Sequence, residues 1–155
     1  MENTVSIIEA KQNDANLVAS LVYDLLFELF PEQKNLFPLA KLKITATEML
    51  QPSTGVWSFL AISNGQVAGM INLNECAAIY AGGKFGEITE MYVKPKYRST
   101  AIGEKLIQQS KLFAQERSWK VLEVGAPDLP RCQRTVDFYQ KVGFNEVGPR
   151  LEMML

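Results

Sequence analysis

The chain has 155 residues, one domain's worth, enough to bury about two-thirds of its unfolded surface around a single core. Hydrophobic residues at 47% and charged residues at 21% lie close to globular averages, which excludes disorder, collagen and coiled coil as descriptions of the whole. Sixteen Lys and Arg against seventeen Asp and Glu leave a net charge of −1, so no global field is available to hold a phosphate polymer, and nucleic acid is not an expected partner.

Val5 to Ala10 reads as a short first strand. Asn13 or Asp14 can cap a helix whose apolar positions, from Leu17 and Val18 to Leu26 and Leu29, recur at helical spacing until Pro31 stops it. Leu39 to Leu50 is expected as a second, shorter helix ended before Pro52. Trp57 to Ser63 and Gln66 to Cys76 are β-rich and joined by Asn64-Gly65, the strongest hairpin signal in the sequence, so they should pair antiparallel. After Gly82-Gly83, Phe85 to Val93 is a third strand of the same meander, ended by Pro95. Ile102 to Arg117 returns to helical spacing, and Val121 to Gly125 follows as a strand, which completes a β-α-β unit. Leu129 to Val142 is expected as a helix closed by Gly143, and Phe144 to Leu155 as a final strand broken near Gly148-Pro149. The order is βααβββαβαβ, a single α/β domain.

Histidine is absent, which excludes Ser-His-Asp and Cys-His nucleophile systems and His-ligated metals; proton transfer falls to Glu, Asp, Tyr, Lys, Cys or water. Cys76 and Cys132 form no C-x-x-C pair, so neither zinc nor a disulfide framework is indicated, and no metal is expected. The stretch from Met1 to Lys11 lacks an apolar leader segment and no run reaches about 18 apolar residues, so the expected location is cytoplasmic, without a membrane partner.

The sharpest local feature is Val93-Lys-Pro-Lys-Tyr-Arg-Ser-Thr-Ala-Ile-Gly103, a strand end, a turn and a small-residue loop opening a helix. Such a loop presents unpaired N–H groups, and the helix N-terminus adds partial positive charge, together a site for a pyrophosphate. No Gly-Lys-Ser follows, so it is not a Walker loop, and G-x-G-x-x-G cannot be written through it.

Val93-x-Pro95-x-x-Arg98-x-x-Ala101-x-Gly103 resembles the R/Q-x-x-G-x-G/A acyl-CoA motif of the GNAT (Gcn5-related N-acetyltransferase) superfamily, and Phe138-Tyr139-Gln-Lys-Val-Gly143-Phe144 resembles that superfamily's F-Y-x-x-x-G-F. The element order is similar to GNAT topology along nearly the whole chain. The resemblance implies a mostly antiparallel mixed sheet of six to seven strands flanked by about four helices. It also implies an N-acetyltransferase that moves an acetyl group from acetyl-CoA directly to a primary amine of a small molecule or peptide.

By the same resemblance, Arg98, Ser99, Thr100, Ala101, Ile102 and Gly103 would wrap the pyrophosphate. Met91, Tyr92 and Val93 would bond the pantetheine and polarise the thioester carbonyl. Tyr139 would protonate the departing thiolate. Two positions depart from the pattern. Ala101 replaces the commoner first Gly, which is harmless at helical φ and crowds the diphosphate if φ is positive. Cys132 stands where many relatives have Asn, and Arg134 is the candidate substitute.

An ammonium has no lone pair, so a carboxylate is wanted near the thioester. Glu87 and Glu90 point to opposite faces by strict alternation, a count that a bulge would change. By the resemblance, Glu87 matches the position of the base in the family's histone-acetylating branch and is slightly favoured as base, while Glu90, three residues before Val93 and closer to the expected thioester, is read as the acid that orients the amine. The resemblance places substrate recognition in the segment between the first two helices, so Phe27, Glu28 and Phe30, with Tyr80 and Glu75, are expected to form an apolar mouth with carboxylates, suited to a cationic amine. Alternatives in view are an acyl-CoA-binding regulatory module without chemistry and, least favoured by the charge balance, a tRNA-directed acetyltransferase. Leu151, Met153, Met154 and Leu155 are compatible with a homodimer through the C-terminal strands.

Overall fold

In a computed structural model, which describes residues 4–127, 129 and 131–155 and only the backbone of Lys34, the chain forms one five-stranded sheet with helices on both faces. The elements are β1 (Val5–Glu9), α1 (Ala15–Leu29), α2 (Leu39–Met49), β2 (Val56–Ser63), β3 (Gln66–Ala78), β4 (Gly83–Val93), α3 (Ile102–Glu116), β5 (Leu122–Val124) and α4 (Gln133–Lys141). Strand order is β1-β2-β3-β4-β5, antiparallel except for the β4–β5 pair. Asn64 (φ 49°) and Gly65 (φ 77°) both take positive φ, as a two-residue hairpin turn requires, and this sets the β2–β3 register. No helix of the described residues is long and apolar enough to cross a membrane.

The alternation of each strand divides the core in two. On one face Phe59, Ile71, Leu73 and Ile88 meet Ile102, Leu106 and Ile107 of α3, together with Trp119 and Tyr139. On the other, Leu60, Met70 and Tyr92 meet Val18 and Leu21 of α1. The connection after α3 lies on the sheet so tightly that a Cβ on Gly86 would come within 2.3 Å of the Trp119 ring, so only glycine fits there.

The expected strand over Phe144 to Leu155 does not form: the tail is irregular, and the described residues make a sheet of five strands, against the six to seven expected. Pro149 offers no N–H for a ladder, Gly148 has φ 130°, and every residue from Asn145 onward is exposed. Leu151, Met153, Met154 and Leu155 therefore carry their apolar side chains into solvent and not on a strand. Helix α4 begins at Gln133 rather than Leu129; Pro130 of the expected span, like Glu2 near the start of the chain, lies outside the described residues. Gly143 closes α4 with φ 113°, as expected.

Candidate active site

The two parallel strands part early. β4 and β5 pair only over Gly86↔Leu122, Glu87↔Glu123 and Ile88↔Val124. Beyond Ile88, β4 continues to Val93 with β3 on one edge and, among the described residues, no strand on the other; the Val93 carbonyl accepts from Arg98 Nε at 2.9 Å, and the remaining main-chain groups of that edge are left for a ligand. A cleft of about 790 Å³ fills the divergence at the carboxyl ends of the parallel pair, where α3 begins and α4 closes the far side.

The loop at the start of α3 forms one end of this cleft. Ser99 and Ala101 both have φ near 64°, and Ala101 is the residue before the first turn of α3, with no side chain capping that turn. Ser99 does not cap the helix; its Oγ accepts a hydrogen bond from Arg134 Nη2 at 3.1 Å. The first-turn amides of α3 are thus unclaimed by side chains and face a region flanked by Arg98 and Arg134, a donor set that fits a pyrophosphate. Positive φ at Ala101 is the alternative named above in which its side chain crowds the diphosphate, and it is also a strained conformation for a residue with a Cβ. An L-residue there costs roughly 1–2 kcal/mol, so Ala101→Gly is expected to stabilise the apo protein by about 1 kcal/mol. Thermal melting should show this as a rise of roughly 2–4 °C in Tm.

A register shift in β4 settles the orientation of the acids. Asn72 pairs with Glu90 and Leu73 with Ile88, so Thr89 is the extra residue of a bulge. Glu87 and Glu90 consequently share the α1 face instead of opposing faces: Glu90 accepts from Asn72 Nδ2 at 3.1 Å, and Glu87 from the Cys76 thiol at 3.8 Å. Their settings differ. Glu90 lines the cleft, whereas Glu87 lies outside its lining and is paired at 2.6 Å with Arg150. Burial, then the neighbouring Glu87, pushes the Cys76 thiol up from its ordinary value, which leaves it a poor nucleophile.

Tyr139 enters from the opposite face. It is buried against Phe138 and Phe144, lines the cleft, and has its pKa pushed up to about 12 by burial. Met91, Tyr92, Val93, Arg98, Ser99, Ala101, Ile102, Gly103 and Arg134 also line the cleft; Thr100 does not, its hydroxyl donating to the Tyr97 carbonyl. Burial raises the Tyr92 phenol, which lies beneath the Arg98 guanidinium.

The expected acceptor mouth is only partly assembled. Glu28 lines the cleft and is bound by Arg98 at 2.7 Å, a hydrogen bond that raises the Arg98 pKa. Phe27, in the last turn of α1, stacks instead on Tyr23, and Phe30, just past the end of that helix, packs against Phe37. Tyr80 sits at the β3–β4 connection, 78% exposed, bonded to Glu123. Glu75 lies on the α3 face with Arg117 and Trp119. None of these four lines the cleft.

Sequence reasoning missed Arg131, whose Nη2 donates to the carbonyls of Glu28 and Leu29 at 3.2 and 2.5 Å. It caps the C-terminus of α1 with a positive charge and ties that helix to the start of α4. No short-range pattern signals such a contact, which spans about a hundred residues.

Residues 55–146 match the acetyltransferase (GNAT) domain family. No curated protein sequence matches the chain. Similar solved structures include a ribosomal-protein-alanine N-acetyltransferase from Brucella melitensis biovar Abortus 2308 (21% identity, 98% of this chain and 100% of that one, TM-score 0.75). A predicted acetyltransferase with acetyl-CoA from Clostridium acetobutylicum is similar at 20% identity, over 97% and 96% of the two chains, with a TM-score of 0.77. An aminoglycoside acetyltransferase from an uncultured soil metagenomic sample shares 16% identity over 98% and 99%, with a TM-score of 0.78. With the family match spanning more than half of the sequence, the chain belongs to the GNAT acetyltransferases.

Proposed function

We propose that this acyltransferase moves the acetyl group of acetyl-CoA directly to a primary amine of a small molecule or peptide, both substrates being held in one cleft. The observation that carries the reading is the free edge of β4, which runs along the cleft into the uncapped loop before α3. That edge suits an extended amide-bearing chain, and the loop suits its diphosphate.

In this reading, Arg98 to Gly103 supply main-chain donors to the pyrophosphate, with Arg134 beside Ser99. Met91 to Val93 bond the pantetheine, and one of their amides stabilises charge on the thioester oxygen. Acetyl-CoA supplies the activated acyl group; the chain supplies position and proton transfer. Glu90 takes the amine's proton, since it alone of the two strand acids lines the cleft and carries no ion pair among the described residues. Tyr139, on the other side, donates toward the leaving sulfur.

Acetyl-CoA consumption, read as free thiol across polyamines, aminoglycosides, amino acids and short peptides, tests the proposal. Saturable turnover with at least one amine class is expected. Tight acetyl-CoA binding without turnover on any amine would favour the binding module.

A further inference from the structure

Among the described residues, two buried side-chain oxygens have no hydrogen-bond partner: Ser58 Oγ and Asn72 Oδ1. Ser58 is fully buried and Asn72 is 6% exposed. They are neighbours by register, Ser58 opposite Asn72 and Asn72 opposite Glu90, so one polar row crosses β2, β3 and β4 on the α1 face. The next row on that face, Leu60, Met70 and Tyr92, is apolar and buried. A polar row in such surroundings is costly unless it is satisfied.

The row ends at the cleft with a defined geometry. Asn72 Nδ2 at 3.1 Å and Thr89 Oγ1 at 2.5 Å both donate to Oε2 of Glu90, and no described group bonds Oε1. The carboxylate also fixes the amide's orientation. Turned the other way, Asn72 would set an oxygen against an oxygen, so Oδ1 stays on the buried side without a donor. One water donating to Asn72 Oδ1 and accepting from the Ser58 hydroxyl would satisfy both groups.

We propose that Ser58 and Asn72 hold one buried water, and that Asn72, locked by it, is a positioning residue that pins Oε2 of Glu90 and leaves Oε1 to face the acceptor ammonium. The inference rests on the reading of Glu90 as the base. In the step it serves, one N–H bond of the ammonium breaks and an O–H bond forms on Oε1. The nitrogen keeps the electron pair with which it attacks, and the carboxylate becomes a neutral carboxyl. Ser58 and Asn72 exchange no proton; they fix the direction in which the oxygen is offered.

The test compares Asn72→Ala, Ser58→Ala and Glu90→Gln on two acceptors, a strongly basic alkylamine and a weakly basic aromatic amine that is already neutral at the assay pH. Asn72→Ala is expected to lower kcat/KM by about tenfold or more with the alkylamine and by about threefold or less with the aromatic amine, at unchanged KM for acetyl-CoA. Ser58→Ala should give a smaller loss of the same selectivity and no rise in Tm. Equal losses on both amines would make Asn72 merely structural and overturn the proposal. So would a Ser58→Ala protein that melts higher at unchanged turnover, the behaviour of a dry, unsatisfied hydroxyl. Full alkylamine turnover by Glu90→Gln would instead defeat the reading of Glu90 itself. Loss in Glu90→Gln with none in Asn72→Ala would defeat this inference alone.

Discussion

Tyr139→Phe is expected to lower kcat for the best amine acceptor by about tenfold to a hundredfold, at or just below the low end of what a positioned proton donor contributes. Burial pushes the Tyr139 pKa up to about 12, far above the range of a thiol, which is near 8.5. Complete transfer of its proton to a departing thiolate would therefore run uphill. A hydrogen bond that strengthens as charge develops on sulfur would not. The raised pKa also keeps the phenol protonated across the working range, so wild-type kcat should not fall between about pH 8 and about pH 10 through this residue. A fall in that window that disappears in the Phe variant would mean that Tyr139 titrates low and acts as a full proton donor. Phe keeps the ring packing with Phe138 and Phe144, so Tm should change little and the effect can be assigned to the hydroxyl.

Most of the fold was legible because its signals are local. The apolar spacing of α1 and α3, Asn64-Gly65 between two β-rich runs, and Gly143 after α4 each report on a few neighbouring residues, and each element formed within a few residues of its expected bounds. The anion loop was legible for the same reason, since strand end, turn, small residues and helix start are contiguous. Properties that depend on pairing were not. The bulge at Thr89 is an agreement between β3 and β4, and no feature of the β4 sequence alone places Glu90 beside Glu87 on one face. The pairing of Glu87 with Arg150 and of Arg98 with Glu28 likewise needs the sheet and helices already assembled. The aromatic residues of the expected mouth misled because hydrophobicity says that a side chain seeks cover, not which cover it finds. Phe27 found Tyr23, and Phe30 found Phe37.

Glu75 shows the same limit with a larger energetic consequence. Expected near the acceptor mouth, it is instead the centre of a polar knot under the C-terminal end of α3. Its Oε2 accepts from Arg117 Nε and Nη2 at 3.1 and 3.0 Å and from Trp119 Nε1 at 2.8 Å, and Lys84 pairs with Oε1 at 3.1 Å. The Arg117 guanidinium in turn lies 4.2 Å from the Trp57 ring centroid, and Trp119 packs edge to face against both Trp57 and Phe113 beside it. Glu75→Ala would leave the indole N–H and the guanidinium without their acceptor. A loss of about 2–4 kcal/mol is expected, which melting should show as a fall of roughly 5–15 °C in Tm. Burial alone would raise the Glu75 pKa, but the bonds from Trp119, Lys84 and Arg117 outweigh it and hold the carboxyl below its ordinary value. A carboxyl with a depressed folded pKa stabilises fully above its unfolded value, near 4.3, and that contribution is lost as pH falls through the lower folded one. Wild-type Tm should therefore drop below about pH 4.3 by more than that of Glu75→Gln, which lacks this titration. Parallel acid profiles for the two proteins would show that the knot contributes no pH-dependent stability. Because Glu75 lies outside the cleft, Glu75→Gln should keep wild-type kcat at temperatures well below its melting point.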